Sequence, residues 1–265
     1  MSSRTARVTG GGEQAQARPE LRREENMERR SPRGRARKAA VARAPAFLFD
    51  LDGTLVDSVY QHVLAWREAL ERGGIELSVW RIHRRIGMSG GLFINALSRE
   101  TGRPIGAEKA RRLQEFHAHA FRKRENDVRP LPGARELVAH LSRLSISHAI
   151  ATSGRMDGAR RPLEMLHLGS DVPVVTRDQV EYAKPDPDLF LAAAARLDVP
   201  IETAVVVGDS VWDMLAARRA RALGVGLLSG GYGQDELERA GAYRVYQDPA
   251  DLLRHLDELG VRASA

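Results

Sequence analysis

The sequence predicts an α/β protein, a doubly wound parallel sheet interrupted by an inserted α-helical cap. Two observations carry that class. From Pro45 onward, short apolar runs dense in Val and bounded by Gly or Asp alternate with helical patterns, the reading expected of buried parallel strands and their crossover helices. The interval 59–127 breaks this alternation with helical periodicity and no convincing strand. It therefore reads as an insertion that leaves the sheet after the first strand and returns before the second.

The expected strands are AFLF (46–49), SHAIAT (147–152), VPVV (172–175), TAVVVG (203–208) and VGLL (225–228). Helices are expected in PGARELVAHLSRL (132–144), PDPDLFLAAAARL (185–197) and SVWDMLAARRARAL (210–223), each with apolar residues at helical spacing. Pro185, Pro187 and Asp188 suit a helix entrance, and Ser210 suits an N-cap. Within the insertion, SVYQHVLAWREALERGG (58–74), SVWRIHRRIG (78–87), GGLFINALSRETG (90–102) and AEKARRLQEFHAHAFRKRE (107–125) read as helices. The division is thus a tail over 1–45, a core over 46–58 and 128–265, and a cap over 59–127.

The 265 residues, 43% of them hydrophobic, are enough for one large core or a core with an insert. The absence of cysteine rules out disulfides, thiol catalysis and cysteine metal sites. No apolar run approaches the roughly 18 residues a membrane span needs, so a cytoplasmic protein is expected. The net charge of +6 belongs to the first 45 residues, which hold 12 Lys+Arg and 5 Asp+Glu; the other 220 hold 29 and 30. The core therefore shows no nucleic-acid bias. The tail reads as disordered by composition, either a polybasic arm for nucleic acid or an unstructured extension upstream of a start at Met27.

Ligands of open α/β sheets gather at the carboxyl ends of the strands, and four of these ends carry polar chemistry. The first strand delivers Asp50 and Asp52, the second Thr152, Ser153 and Gly154. Lys184 follows the third, and Asp209 follows the fourth with Asp213 one helical turn later. Carboxylates crowded onto one edge repel each other, and a divalent cation relieves that repulsion; hard oxygen ligands favour Mg²⁺. The cation, Lys184 and backbone N–H groups would then hold a phosphate. Asp57 reads differently, as the cap of the helix that begins near Ser58.

DLDGT (50–54), ATSG (151–154), AKPDPDLF (183–190) and GDSVWD (208–213) resemble, in order and spacing, the four motifs of the haloacid dehalogenase superfamily. The helical insert is similar to that of its capped members, the group of phosphoglycolate phosphatases and β-phosphoglucomutases. The resemblance covers residues 46–265. It implies Asp50 as the nucleophile of an aspartyl-phosphate, with Asp52 protonating the leaving alcohol and then activating water. Gly53 permits the backbone turn between them. Thr152, with Ser153 and Gly154, would hold phosphoryl oxygens, and Lys184 would neutralise charge. Mg²⁺ would be bound by Asp50, Asp209 and the backbone carbonyl of Asp52, with Asp213 supporting.

A phosphatase of small phosphorylated metabolites, of sugar phosphate or phosphoglycolate type, is the reaction the resemblance favours. Dehalogenation needs neither Asp52 nor Asp209. The closer rival is a phosphosugar mutase, because His62 and Trp66 stand where helical-cap mutases carry similar residues. Against it, IGMSGG (86–91) places Gly90 where the mutase has a phosphate-gripping arginine, and Gly208 precedes Asp209 without an additional acid. Arg155 is a candidate substrate contact, as are Arg81, Arg84 and Arg85. SGGY (229–232) is expected as a loop near the site, and His117 and His119 as surface residues. A non-catalytic binding protein working through its basic tail is the alternative from another class. The oligomeric state is left open.

Overall fold

The first strand, β1 (Ala46–Phe49), is buried along its whole length and divides its side chains between two cores. Successive strand residues point to opposite faces. Phe47 and Phe49 accordingly join a cluster with Ile150, Val205 and Val207, while Ala46 and Leu48 join a second with Ala149, Val206 and Phe190. Burial on both faces is what makes these strands read as continuous apolar runs. This computed structural model describes residues 44–261. All but the last two residues of the tail expected over 1–45 lie outside that range.

After β1 come β2 (Val56–Asp57) and four helices, α1 (Val59–Arg72), α2 (Val79–His83), α3 (Gly90–Thr101) and α4 (Ala107–Arg122). Then follow β3 (Arg129–Pro130), α5 (Ala134–Arg143), β4 (His148–Ala151), α6 (Met156–Met165), β5 (Val174–Val175) and α7 (Asp188–Arg196). The chain ends with β6 (Ala204–Gly208), α8 (Val211–Ala220), β7 (Leu223–Leu227), α9 (Gln234–Ala240), β8 (Ala242–Tyr246) and α10 (Pro249–Arg254). Six strands form one parallel sheet in the order β5-β4-β1-β6-β7-β8. The doubly wound α/β class holds.

Helices α1 to α4 occupy the interval between β2 and β3, which pair antiparallel through Val56 with Pro130 and Asp57 with Arg129. Much of their apolar surface forms a core of its own, including Trp66, Ile82, Phe93, Leu97 and Leu113. Ala65 of α1 and Phe121 of α4 instead belong to the cluster under the sheet. Among the described residues no helix is long and apolar enough to cross a membrane.

Two local expectations need correction. Asp57 does not cap α1: it is exposed in β2, and the N-cap position is Ser58. Ser58 makes no side-chain cap bond either, and its hydroxyl donates to Asp52. The last expected strand, VGLL, is displaced. Residues Leu223–Leu227 form β7, and the chain turns at Leu228–Gly230. Ser210 does cap α8, accepting from the Asp213 N–H while the Asp213 carboxylate accepts from the Ser210 N–H.

Candidate active site

Connections from β1 run first to β4 and β5 on one side, then to β6, β7 and β8 on the other, so the winding reverses between β1 and β6. Crevices of open α/β sheets form at such a reversal, outside the strand ends. Asp50 and Asp209 are the residues that directly follow these two strands. Asp50 is locked to the neighbouring strand through its N–H, which donates to the Val207 carbonyl at 2.9 Å.

Beyond Asp50 the backbone coils tightly. The Leu51 carbonyl accepts from Thr54, Leu55 and Val56, and the Gly53 N–H donates to Val56 at 2.8 Å. Gly53 has φ +82°, and a Cβ there would fall 2.5 Å from Asp209 Oδ2; left-handed backbone and close approach both demand glycine. Gly53 shapes the turn, as expected of it, and is not among the residues that line the cavity described below. The coil sends the two aspartates to different partners.

Asp50 enters a buried charge cluster. Lys184, fully buried, pairs with Asp50 and stands 2.8 Å from Asp213 Oδ1. Ser210 Oγ donates to Asp213 Oδ2 at 2.5 Å, and Thr54 Oγ1 donates to Asp209 Oδ1 at 2.9 Å. Carboxylate oxygens of Asp50, Asp209 and Asp213 all lie within 4.8 Å of one another. Burial pushes the Asp50 carboxyl up to about 7, with the Asp213 and Asp52 charges adding to it and Lys184 opposing. Burial, then Asp213 and Asp50, likewise hold Asp209 well above the ordinary carboxylate range. Lys184 is shifted upward: burial works against its charge, but Asp213 and Asp50 outweigh burial.

Asp52 stands apart from that cluster. Its Oδ1 accepts from Ser58 Oγ at 2.6 Å and faces His62 Nε2 at 3.2 Å. Its Oδ2 lies 3.5 Å from Thr152 Oγ1, which also accepts from the Gly154 N–H at 3.0 Å. Burial raises the Asp52 carboxyl, yet the nearby His62 ring and the hydrogen bonds from His62 and Ser58 outweigh burial and hold it below its usual value. The chain thus sets two carboxylates two residues apart in opposed environments, one pushed up and one pulled down.

A cavity of about 680 Å³ opens over both. Asp50, Asp52, Thr152, Ser153, Gly154, Arg155 and His62 line it from the expected set, as does Trp66. Among the described residues the buried Ser153 hydroxyl has no hydrogen-bond partner. Arg155 is mostly exposed and lies 3.3 Å from Asp178 Oδ1. Of Arg81, Arg84 and Arg85 only Arg85 lines the cavity, which Arg122 of α4 lines as well. Arg81 and Arg85 both pair with Glu100, whereas Arg84 pairs with Glu236 and stacks over the Tyr232 ring at 4.2 Å.

His119 is exposed, as expected, but His117 is not a free surface residue. It lines the cavity, and its Nε2 lies 3.2 Å from His62 Nδ1. Leu113, His117 and Phe121 recur at four-residue spacing on α4, which places His117 on the apolar face. That spacing was the available indication. The loop SGGY does reach the site: a Cβ on Gly230 would stand 1.8 Å from Asp209 Oδ2, and Ser229 Oγ donates to the Gly53 carbonyl at 2.6 Å.

A family model described as haloacid dehalogenase-like hydrolase matches residues 44–221. The chain belongs to this family. The resemblance carried by the four motifs is therefore membership, and the chain is an enzyme of the haloacid dehalogenase-like hydrolases. Hexitol phosphatase A of Escherichia coli (strain K12) is 33% identical over 180 residues, 67% of this chain and 80% of that protein. β-Phosphoglucomutase of Bacillus subtilis (strain 168) is 29% identical over 219 residues, 80% of this chain and 92% of that protein. A solved hydrolase from Pseudomonas syringae is 58% identical with a TM-score of 0.79, covering 81% of this chain and 98% of that one.

Proposed function

We propose that the chain is a Mg²⁺-dependent phosphatase of a small phosphorylated metabolite, of sugar phosphate or phosphoglycolate type, working through an aspartyl-phosphate on Asp50. The observation that carries this reading is the division of labour between Asp50 and Asp52 over one cavity. Asp50 is paired with the buried Lys184 ammonium, the positive charge that a carboxylate attacking a phosphate dianion requires beside it. Asp52 has Oδ1 held by Ser58 and His62, which favours its carboxylate form in the free site; the negative charge of a bound phosphate opposes that, so Oδ2, beside Thr152, is the oxygen that takes up a proton and passes it on.

Three buried carboxylates balanced by one ammonium form an all-oxygen set with surplus negative charge, which fits Mg²⁺. Asp50 and Asp209, with the Asp52 backbone carbonyl, would hold it; both Asp213 oxygens are engaged by Lys184 and Ser210, so Asp213 supports. When bound, the ion supplies Lewis-acid stabilisation of phosphoryl charge. Asp50 attacks phosphorus, the ester P–O bond breaks, and the Asp52 proton passes to the leaving oxygen. Water then attacks the aspartyl-phosphate while Asp52 takes its proton, freeing Asp50 and inorganic phosphate. Helices α1 to α4 act as a cap, excluding bulk water and selecting the leaving group.

The test is phosphate release from a panel of phosphate monoesters, with Mg²⁺ and after chelation. Turnover that requires Mg²⁺ is expected; none across the panel sinks the reading. A hexose 1-phosphate with its bisphosphate activator addresses the mutase kinship, since isomerised product without released phosphate would favour that reaction. Because Asp50 must shed a proton held up to about pH 7 by burial, Mg²⁺ affinity should rise as pH rises through that value. Calorimetric titration reads it, and an affinity independent of pH would contradict it. Gly230→Ala drives a methyl into Asp209. It should weaken half-maximal activation by Mg²⁺ by about 10- to 100-fold.

A further inference from the structure

His117 belongs to none of the four motifs, yet it makes the contact that completes His62. His62 uses both of its ring nitrogens: Nε2 lies 3.2 Å from Asp52 Oδ1 and Nδ1 lies 3.2 Å from His117 Nε2. The His62 ring lies flat on Phe121, with centroids 3.9 Å apart and planes within 1°. The His117 ring lies on Trp66 at 4.3 Å. Asp52, His62 and His117 thus form a line of polar groups laid against aromatic faces.

A carboxylate oxygen only accepts, so His62 Nε2 must carry the hydrogen between them. Rotating the His62 ring by half a turn would set carbon atoms against both Asp52 and His117. The partner on Nδ1 therefore fixes what Nε2 presents, as is general for a histidine whose second nitrogen is bound. Burial, and after it the neighbouring His62, lowers the His117 pKa well below the usual histidine value, which keeps this ring neutral.

We propose that His117 is a positioning residue: through its hydrogen bond to His62 Nδ1 it holds Nε2–H on Asp52 Oδ1, and so keeps Asp52 Oδ2 turned toward the leaving oxygen. The inference rests on the phosphatase reading. In the first half-reaction the Asp50–phosphorus bond forms, the ester P–O bond breaks, and the Asp52 proton moves to the departing oxygen. Loss of His117 leaves the attack of Asp50 on phosphorus alone and impairs the proton transfer on which cleavage of the ester P–O bond depends. The defect should then grow as the leaving group becomes harder to expel without a proton, which a general loss of packing would not do.

The full chain with Mg²⁺ is assayed on p-nitrophenyl phosphate and on phenyl phosphate, the poorer leaving group of the two. His117→Phe keeps a ring over Trp66 and removes the nitrogens. With phenyl phosphate, kcat/KM, which reads only the steps up to departure of the alcohol, should fall about tenfold or more, and with p-nitrophenyl phosphate it should change little. His117→Gln, whose amide reaches toward the Nε2 position, should recover part of the loss. Equal losses on both esters would overturn the positioning role. Should the phenylalanine variant not fold, the ring nitrogen resonances of His62 in the unaltered protein decide. Hydrogen fixed on Nε2 supports the role, and hydrogen averaged over both nitrogens overturns it. An active Asp50→Asn variant would sink the phosphatase reading itself. An inactive one, beside losses at His117 that ignore the leaving group, sinks the positioning role alone.

Discussion

Asp50→Asn is expected to abolish ester hydrolysis, lowering kcat by on the order of 10⁴-fold or more, without lowering the melting temperature. The amide has the carboxylate's shape but lacks the nucleophilic oxygen. It also removes one of three negative charges from a buried cluster in which burial already drives the Asp50 carboxyl up to about 7. Loss of function with retained stability separates a reacting group from a scaffold. Steady-state phosphate release and a thermal melt in chelator read the two halves. Substantial residual turnover would overturn the assignment of Asp50, and a marked drop in melting temperature would mean its charge is structural.

Lys184→Met is the complementary case and should fail on stability first. Lys184 is fully buried between Asp50 and Asp213 and lies over the Phe190 ring at 5.1 Å. Methionine fills much of its volume but leaves the carboxylates without their cation. Breaking a buried pair from one side costs about 3–5 kcal/mol, to be measured by denaturant unfolding in chelator. Mg²⁺ should restore part of that loss, because a cation bound only by the folded chain stabilises it by mass action. Unchanged stability would show the cluster to be hydrated or protonated throughout. Asp213→Asn should do less harm, since Ser210 still has an oxygen to bond.

The strands β1, β4 and β6 were legible because burial on both faces leaves almost no polar residue in them. Strand β8 was not: it lies at the sheet edge and exposes Tyr243, so AYRVY alternates too weakly to stand out. Helix α6 was missed for a different reason, Pro162 lying inside it. The cluster of Asp50, Lys184, Asp209 and Asp213 could be read because each follows a strand end, and topology alone brings strand ends together. What local sequence does not encode is which helix faces meet. The pairing of His62 with His117 and of Arg84 with Glu236 spans 55 and 152 residues, and neither chain segment marks the other. Asp57 misled because an acid before a helix resembles a cap whatever strand it occupies.

The separate anchoring of the two aspartates has a consequence for how such an enzyme diverges. Asp50 answers to the sheet, through Val207 and Lys184. Asp52 answers to α1, through Ser58 and His62, and beyond them to α4 through His117. On the proposed mechanism, a mutation in α4 therefore reaches the proton donor through two rings without touching the nucleophile. On that mechanism, selection could retune which alcohols depart while the step common to all of them stays fixed. The helices are a place where lineages can experiment cheaply, and the strand ends are not.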